Sequence, residues 1–175
     1  MRRIGQMFRF LIPVIALVAL VVFLVGAGRR ERARLEKNKA IVRASVEKFW
    51  NTGDLAVADE FYATNWVEHH PGVLGEVRGL EGLKKWAKAE FVGFPDMRVT
   101  IEDLVAEGDK VVKRWRTRET HTGEYYGVPP TGKEVTNMGT TIYRIADGKL
   151  AEGWWSYDSL GKWEQLGFKL APAKK

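Results

Sequence analysis

The fold of this chain is decided by the stretch from Arg114 to Gly167. It reads RWRTRETHTGEYYGVPPTGK at 114–133, MGTTIYRIADGKL at 138–150 and AEGWWSYDSLGKWEQLG at 151–167. Alternation of side chains with a period of two predicts strands over Val111–His121, Glu134–Ile145 and Leu150–Tyr157, with Gly-marked turns between them. A short helix, Ser159–Gly167, closes the stretch. One His and one Asp lie among aromatic residues, which indicates an apolar pocket with a proton-transfer group.

Helical periodicity dominates the chain before this stretch. It predicts a helix from Glu31 to the Asn51-Thr52-Gly53 stop, a short helix over Leu55–Tyr62 and a third over Gly79–Gly93. Trp66 and Val67 lead into a loop that contains residues 68–71. Met97 then begins the first alternating strand. Helices followed by a meander of strands are the α+β pattern. We expect a cone-shaped, curved antiparallel sheet packed on N-terminal helices, enclosing a cavity for a small apolar ligand.

Composition excludes several classes of protein. The 175 residues contain no Cys, which excludes structural disulfides, thiolate zinc sites and Cys nucleophiles. The net charge of +6 comes from the N-terminus, because residues 1–40 carry nine Lys or Arg against two acidic residues. The remaining chain is close to neutral, so a nucleic-acid partner is not expected.

The N-terminal segment predicts membrane attachment. Residues 10–28 are uncharged and lie between arginine clusters, and a helix of this length spans about 28 Å, close to the thickness of a bilayer core. We therefore expect a single-pass N-terminal anchor, with the side of the membrane left open. A signal peptide cleaved near Val25-Gly26-Ala27 is the alternative. The predicted divisions are a basic tail (1–9), a transmembrane anchor (10–28), a basic juxtamembrane helix start (29–39), the α+β cone (40–168) and a polar tail (169–175).

A series of short matches from about Ala40 to Gly167 resembles the SnoaL-like polyketide cyclases, or ester cyclases, of the ketosteroid isomerase and nuclear transport factor two superfamily. The matches are Phe61-Tyr62, Asn65 and Glu68-His69; Gly79 with Glu81-Gly82; Phe94-Pro95-Asp96; Asp109, Val111 and Arg114; Thr120-His121-Thr122-Gly123-Glu124; Pro130-Thr131-Gly132-Lys133; Asp147-Gly148-Lys149; and Glu152, Trp154 and Asp158 before Gln165-Leu166-Gly167.

The resemblance implies a hydrophobic carbonyl substrate, intramolecular aldol ring closure without a cofactor, and a homodimer. Carried over by position, Asp158 is the acid/base, and His121 and His69 are pocket histidines. The sequence departs from the family at one clear position. Many members have His directly before the Trp that corresponds to Trp154, and here that residue is Gly153.

Two residues are the candidates for the chemistry. Asp158 follows three aromatic residues, and burial there would raise the pKa of its carboxyl toward neutrality. Its alternative is the N-cap of the last helix, where Asp is favoured. On strand parity His121 shares a face with Trp115, and a neutral imidazole there could donate to an enolate oxygen. Its alternative is a solvated histidine at the end of a hairpin strand.

The remaining candidates would bind substrate. Arg114 belongs to a row with Arg116 and Arg118 that favours a solvated or dimer-facing surface, unless a bulge turns it inward to hold a carboxylate. Trp115, Trp154 and Tyr126 are candidates for stacking on a planar ligand, although the tryptophans are most simply core. Three histidines without suitably spaced partners predict no metal site.

These observations favour a membrane-anchored cyclase with Asp158 and His121 in the site. A non-catalytic ligand-binding or assembly module is the alternative, because Gly153 removes a polar group and one fold hosts many functions. A third hypothesis is a different enzyme with the same cone-shaped fold, such as an isomerase or an epoxide hydrolase.

Overall fold

The computed structural model describes residues 2–70 and 75–169, with side chains from residue 20 onward. Contacts divide the chain into two compact units, Met1–Lys37 and Asn38–Lys175. The helices are α1 (Arg2–Ser45), α2 (Ala58–Phe61), α3 (Gly79–Gly93) and α4 (Ser159–Leu166), with a π-helical turn at Val46–Trp50 and a 3-10 turn at Leu55–Val57.

The anchor predicted at residues 10–28 lies only partly among the described residues. Among the described residues, no helix is both long enough and apolar enough to cross a membrane. The side chains of residues 1–19, and with them half of the span predicted at 10–28, lie outside the described residues. Most of the polar tail predicted at 169–175 lies outside them as well.

The second unit is built on one six-stranded sheet. Its strands are β1 (Tyr62–His69), β2 (Glu76–Arg78), β3 (Arg98–Glu107), β4 (Lys110–Thr120), β5 (Glu134–Ala146) and β6 (Lys149–Tyr157), in the order β2-β1-β6-β5-β4-β3. Helices packed on a curved sheet confirm the α+β class. The expectation of a wholly antiparallel sheet is wrong, because β1 pairs with β6 in parallel.

Strand β1 also corrects the prediction for the segment before α3. The short helix ends at Phe61 rather than Tyr62, and Glu68 and His69, which were expected in a loop, belong to β1. The inward residues of β1 are Tyr62, Trp66 and Glu68, all nearly inaccessible to solvent. A buried glutamate in the third of these positions hides the apolar alternation that would otherwise have indicated a strand.

Aromatic rings join the helices to the concave face of the sheet. Trp50, at the end of the π-helical turn, lies 5.3 Å from Trp86 of α3 and 5.8 Å from Trp155 of β6, measured between ring centroids. The Trp86 and Trp155 rings lie 5.6 Å apart. All three pairs meet edge to face, a geometry that adds about 0.5–1.5 kcal/mol per pair to the burial of the rings. This cluster fixes α3 over the sheet.

Asn51 closes the exposed edge of the sheet at β3. Its side-chain oxygen accepts from the backbone N–H of Val99 at 2.7 Å, and its amide nitrogen donates to the Val99 carbonyl at 3.1 Å. The amide therefore imitates a neighbouring strand. Because an unpaired edge invites pairing with another chain, this contact both ties the end of the first helical region to β3 and protects the edge.

Replacing Asn51 by Ala is expected to lower the free energy of unfolding by about 1–3 kcal/mol, since both Val99 backbone groups lose their partner. Chemical denaturation measures the change. The matched control is Asn65→Ala on the exposed side of β1, which should stay within about 0.5 kcal/mol of the parent. Equal effects from the two substitutions would contradict the edge-clamping function of Asn51.

Candidate functional site

A cavity lies between the concave face of the sheet and the helices, entirely within the unit Asn38–Lys175. The cavity opens to solvent, and about 540 Å³ of space within it and at its mouth is free of protein atoms. Its walls combine aromatic rings with a few ionisable groups. The lining residues are Trp50, Trp86, Glu90, Met97, Val99, Lys113, Trp115, Thr117, Glu119, Tyr125, Asn137, Trp155, Tyr157 and Lys162. Such a mixture is typical of sites for small, mostly apolar ligands.

Lys113 is the first ionisable group of the cavity. The residue is 1% exposed, and its ammonium nitrogen lies 5.2 Å, 5.3 Å and 5.7 Å from the ring centroids of Trp155, Tyr143 and Trp115. No carboxylate among the described residues lies within ion-pair distance of it. Burial lowers the pKa of Lys113 to about 7, against an opposing pull from the buried Glu68. Near neutral pH this side chain is therefore a mixture of amine and ammonium.

Lys162 is the second buried lysine, and its surroundings are the opposite. Its nitrogen lies 2.8 Å from Glu119 and 3.0 Å from Glu90. Burial alone would lower the pKa of Lys162, but the two carboxylates outweigh it and the net shift is upward. The hydroxyl of Tyr125 donates to the other oxygen of Glu90 at 2.7 Å. Burial raises the pKa of Glu119, while Lys162 opposes the shift.

Strand and helix periodicity explain how charged residues reach this interior. On β4, Lys113 and Glu119 share the parity of Trp115, and they stand six residues apart, about 20 Å along the strand. On α3, Glu90 follows the buried Ala87 by three residues, so that it lies on the same helix face. Lys162 precedes the buried Leu166 of α4 by four residues.

None of these charged groups was among the residues predicted for the site, although strand parity indicates two of them. The parity that places His121 beside Trp115 places Lys113 and Glu119 there as well. A charged side chain is normally expected in solvent, and here strand parity is the better guide. Helix periodicity likewise puts Glu90 on the apolar face of α3, but its partners Lys162 and Glu119 are distant in the sequence.

Trp115 is the one predicted site residue that lines the described cavity. Its indole N–H donates to the hydroxyl of Thr141 at 2.9 Å, which fixes the ring. Asp158 is exposed and caps α4, because its carboxylate accepts from the backbone N–H of Gly161 at 2.7 Å. Asp158 is therefore the N-cap of the last helix, which was the alternative to its role as acid/base. Asp158 is not among the residues that line the cavity.

His121 is buried, but it holds a loop rather than facing the cavity. Its Nδ1 accepts from the backbone N–H of Thr131 at 3.2 Å and lies 3.1 Å from the Thr131 hydroxyl. Burial, assisted by the nearby Lys162, lowers the pKa of His121. The imidazole is completely buried, which excludes the solvated alternative, but His121 is not among the residues that line the cavity. Tyr126, in the same loop, is 50% exposed and does not line the cavity.

The remaining candidates lie on the outer face of the sheet. Arg114 pairs with the carboxylate of Glu102, and the arginine row of β4 is exposed, as the parity predicts. His69 lies between two carboxylates, with Glu152 at 3.0 Å, and stacks on Trp154 with ring centroids 5.5 Å apart. These three predicted ligand-binding residues are therefore separated from the cavity by the sheet itself.

The described residues hold no cluster of three or more His, Asp or Glu side chains able to bind a metal ion. The chemistry available on the cavity wall is that of amine, carboxyl, phenol, amide and hydroxyl groups. The ionisable groups of the cavity form two sets, which we call its two poles. One is the amine of Lys113, without an ion pair among the described residues, and the other is the ion-paired cluster of Glu90, Glu119 and Lys162. The indole rings lie between them.

The ring of Trp66 leaves no room for a side chain at position 153. A Cβ atom on Gly153 would lie 2.7 Å from Cη2 and 3.0 Å from Cζ2 of the Trp66 ring. The ring is completely buried, and its N–H donates to Glu68 at 3.3 Å. The indole thus fills the space that a side chain at position 153 would need. The missing histidine is explained by steric exclusion.

Replacing Gly153 by Ala is expected to destabilise the fold by about 1–3 kcal/mol through overpacking against Trp66. Combining it with Trp66→Leu should cost less than the sum of the two single changes, because the smaller side chain makes room. Denaturation curves of the four proteins measure this coupling. Ser156→Ala on the exposed side of β6 is the control; strict additivity would contradict the steric explanation.

Comparison with known proteins agrees with this architecture. The profile of the SnoaL-like polyketide cyclase family matches residues 40–166. The aklanonic acid methyl ester cyclase of Streptomyces sp. (strain C5) is 30% identical over 137 residues, which cover 73% of this chain and 80% of that protein.

Two solved structures are similar over most of their length. A proposed SnoaL-like polyketide cyclase of Jannaschia sp. CCS1 superposes with a TM-score of 0.70 at 26% identity, covering 77% of this chain and 94% of that one. IdmH, a proposed polyketide cyclase of Streptomyces antibioticus, gives a TM-score of 0.66 at 33% identity, covering 75% of this chain and 99% of that one. On its sequence and its fold, this chain belongs to the SnoaL-like polyketide cyclase family.

Proposed function

We propose that this protein catalyses the intramolecular, aldol-type ring closure of a hydrophobic carbonyl compound by acid/base catalysis without a cofactor. Membership of the cyclase family supports the reaction class. The name of the Streptomyces relative supports a methyl ester, aklanonic acid methyl ester, as the substrate to try first. The aromatic walls of the cavity suit such a ligand, because flat rings stack on indoles and exclude water.

The observation that carries the proposal is the position of Lys113. A buried amine without a counter-ion is poised near neutrality, which is where a general acid/base works best at physiological pH. It lies on the wall of the cavity between three aromatic rings, so a bound ligand stacked there brings its carbonyl close to the amine. We therefore assign the proton transfer to Lys113.

Lys113 can carry out both halves of the reaction. As the neutral amine it removes the proton next to the substrate carbonyl, and as the resulting ammonium it faces the enolate oxygen. The enolate carbon then attacks the second carbonyl, and the proton passes from the ammonium to the new alkoxide. The product is an isomer of the substrate, so no electron acceptor is required. A low-dielectric site strengthens the attraction between ammonium and enolate.

The other pole of the cavity has a different function. Because Lys162 is held between Glu90 and Glu119, it remains charged and its nitrogen is engaged. We assign this cluster to fixing the end of the cavity, together with Tyr125. Asn137 and Thr117 remain between the poles as groups able to hydrogen-bond a substrate oxygen.

Replacing Lys113 by Met should lower the rate of ring closure by a factor of about 10²–10⁴, the usual contribution of a general acid/base. The protein should remain folded, since removal of an unpaired buried amine relieves its desolvation. Conversion of aklanonic acid methyl ester, followed by chromatography, is the measurement. In the parent protein the rate should rise with pH and level off above about 7, because burial lowers the pKa of Lys113 to that value and the neutral amine is the base.

Asp158→Asn is the matched comparison, because the sequence assigned the acid/base role to Asp158 and Asn also caps helices well. Loss of activity in this variant, with activity kept in Lys113→Met, would overturn the assignment to Lys113. Tight binding of the ester by the parent protein without conversion would favour the non-catalytic binding module, the alternative that Gly153 suggests.

Attachment to a membrane is a proposal that rests on the sequence of residues 10–28. Substituting Val18 by Arg should release the chain from carbonate-washed membranes, since a central arginine costs about 2.5–3.5 kcal/mol on insertion scales. Ala33→Arg adds the same charge outside the span and should leave the fractionation unchanged. Release of both variants would contradict the anchor, and a parent protein shortened near residue 27 would indicate a cleaved signal peptide.

The homodimer implied by the family is also a proposal. Met138 and Ile142, which are 57% and 37% exposed on the outer face of β5, offer apolar surface for it. Light scattering of the purified protein measures the mass.

A further inference from the structure

The two buried lysines of this protein differ in the chemistry that is open to them. Lys162 is bonded to two carboxylates, and its raised pKa keeps it an ammonium with no lone pair to offer. Lys113 has no carboxylate within ion-pair distance among the described residues. A lysine in an apolar pocket without a counter-ion is the type of nucleophile that attacks carbonyl carbons.

The position of Lys113 also satisfies the geometry of such an attack. Its side chain extends from β4 toward Trp155 and Tyr143, and the two ring centroids lie at nearly equal distances, 5.2 Å and 5.3 Å, from the nitrogen. Trp115 forms a third side. The rings restrict the amine to the cavity side, where a flat ligand would lie. They also exclude bulk water, which would hydrolyse a carbon–nitrogen double bond.

We propose that Lys113 forms a covalent imine with the carbonyl carbon of an apolar ketone or 1,3-diketone bound in the cavity. This step rests on the proposed function, which it deepens by placing the ring closure on an enamine attached to the protein.

The step balances in atoms and charge. The amine nitrogen adds to the carbonyl carbon, and the carbonyl oxygen leaves as water after taking up one external proton. The resulting protonated imine loses one proton from the adjacent carbon, which returns the proton taken up and leaves an enamine. The enamine carbon attacks the second carbonyl of the substrate. Water then adds to the imine and releases the cyclised product and the free amine, so there is no net gain or loss.

The protonation state of Lys113 is compatible with this sequence. Burial lowers its pKa to about 7, so a large fraction is the nucleophilic amine at neutral pH. An exposed lysine with its usual pKa near 10.4 is almost wholly protonated there. A carbonyl reagent that enters the cavity should therefore react with Lys113 in preference to the surface lysines.

The experiment uses the full chain in detergent and the flat 1,3-diketone 1-phenylbutane-1,3-dione. Quenching of tryptophan fluorescence first shows that the diketone binds. An amine attacked by a 1,3-diketone forms a stable enaminone, which adds the mass of the diketone less one water and absorbs in the near ultraviolet. Peptide mapping by mass spectrometry then gives the labelled residue. Lys162 is the control inside the same molecule, because it is equally buried but ion-paired.

We expect labelling at Lys113 at least about tenfold faster than at any other lysine at pH 7, with a rate that rises with pH and levels off above about 7. No label at Lys162 is expected. Labelling should disappear in Lys113→Met without a change in the circular dichroism. Because the map is made on the parent protein, the result does not depend on that variant folding.

The outcomes separate the imine from the proposed function. Binding of the diketone without label at Lys113 overturns the imine. If the parent protein still cyclises aklanonic acid methyl ester and Lys113→Met does not, Lys113 acts by proton transfer alone. Label at Lys113 in a protein that cyclises no substrate would keep the nucleophile and overturn the cyclase proposal. Equal labelling of Lys113 and the surface lysines also contradicts the proposal.

Discussion

The two-residue alternation of β4 governs the site. One side of this strand carries a row of arginines to the outer face, and the other carries Lys113, Trp115, Thr117 and Glu119 into the interior. A shift of the strand by one residue would exchange the two sets completely. Pairing with β5 along the whole of β4, and with β3 over residues 110–118, fixes that register. The chemistry of the cavity is thus set by backbone hydrogen bonds on either side of one strand.

Burial acts on the two lysines in opposite ways because their partners differ. A buried charge is costly unless it is paired and hydrogen-bonded. Lys162 meets that condition through Glu90 and Glu119, whereas Lys113 has no carboxylate within ion-pair distance among the described residues, and burial lowers its pKa. The same apolar walls that make the cavity suitable for a hydrophobic ligand therefore lower the pKa of its amine. In the proposed mechanism, ligand binding and proton transfer share this physical cause.

Sequence periodicity predicted much of the fold. The bounds of α3 agree with the prediction at Gly79 and Gly93, and α4 with its terminal Gly167 was expected as well. These elements have strong local signals: a positive-φ glycine at each of two ends and a clear helical stripe. Strand β1 has none, since its inward residues include Glu68, and its parallel partner β6 lies 80 or more residues away along the chain. Distant pairing leaves no trace in a local pattern.

The site was harder to predict for a related reason. Asp158 and His121 have the right chemistry and lie close to aromatic residues in the sequence, yet one caps a helix and the other holds a loop. The functional candidates on the cavity wall are charged residues at inward positions, where composition alone favours solvent. Parity along β4 was the stronger signal, because side-chain direction in a strand is geometrical and charge is only a preference.

The steric contact between Trp66 and Gly153 changes where a polar group can enter the cavity. Across the sheet, Gly153 pairs with Tyr143, and Tyr143 pairs with Val111. Lys113 lies one inward position further along β4, in line with Thr141 and Trp155. Its amine lies 5.3 Å from the ring centroid of Tyr143, which belongs to the row that contains Gly153. A family member with histidine at that position has its polar group on β6. Here the indole of Trp66 occupies that space, and in the proposed mechanism the polar group is Lys113 of β4, on the same concave face.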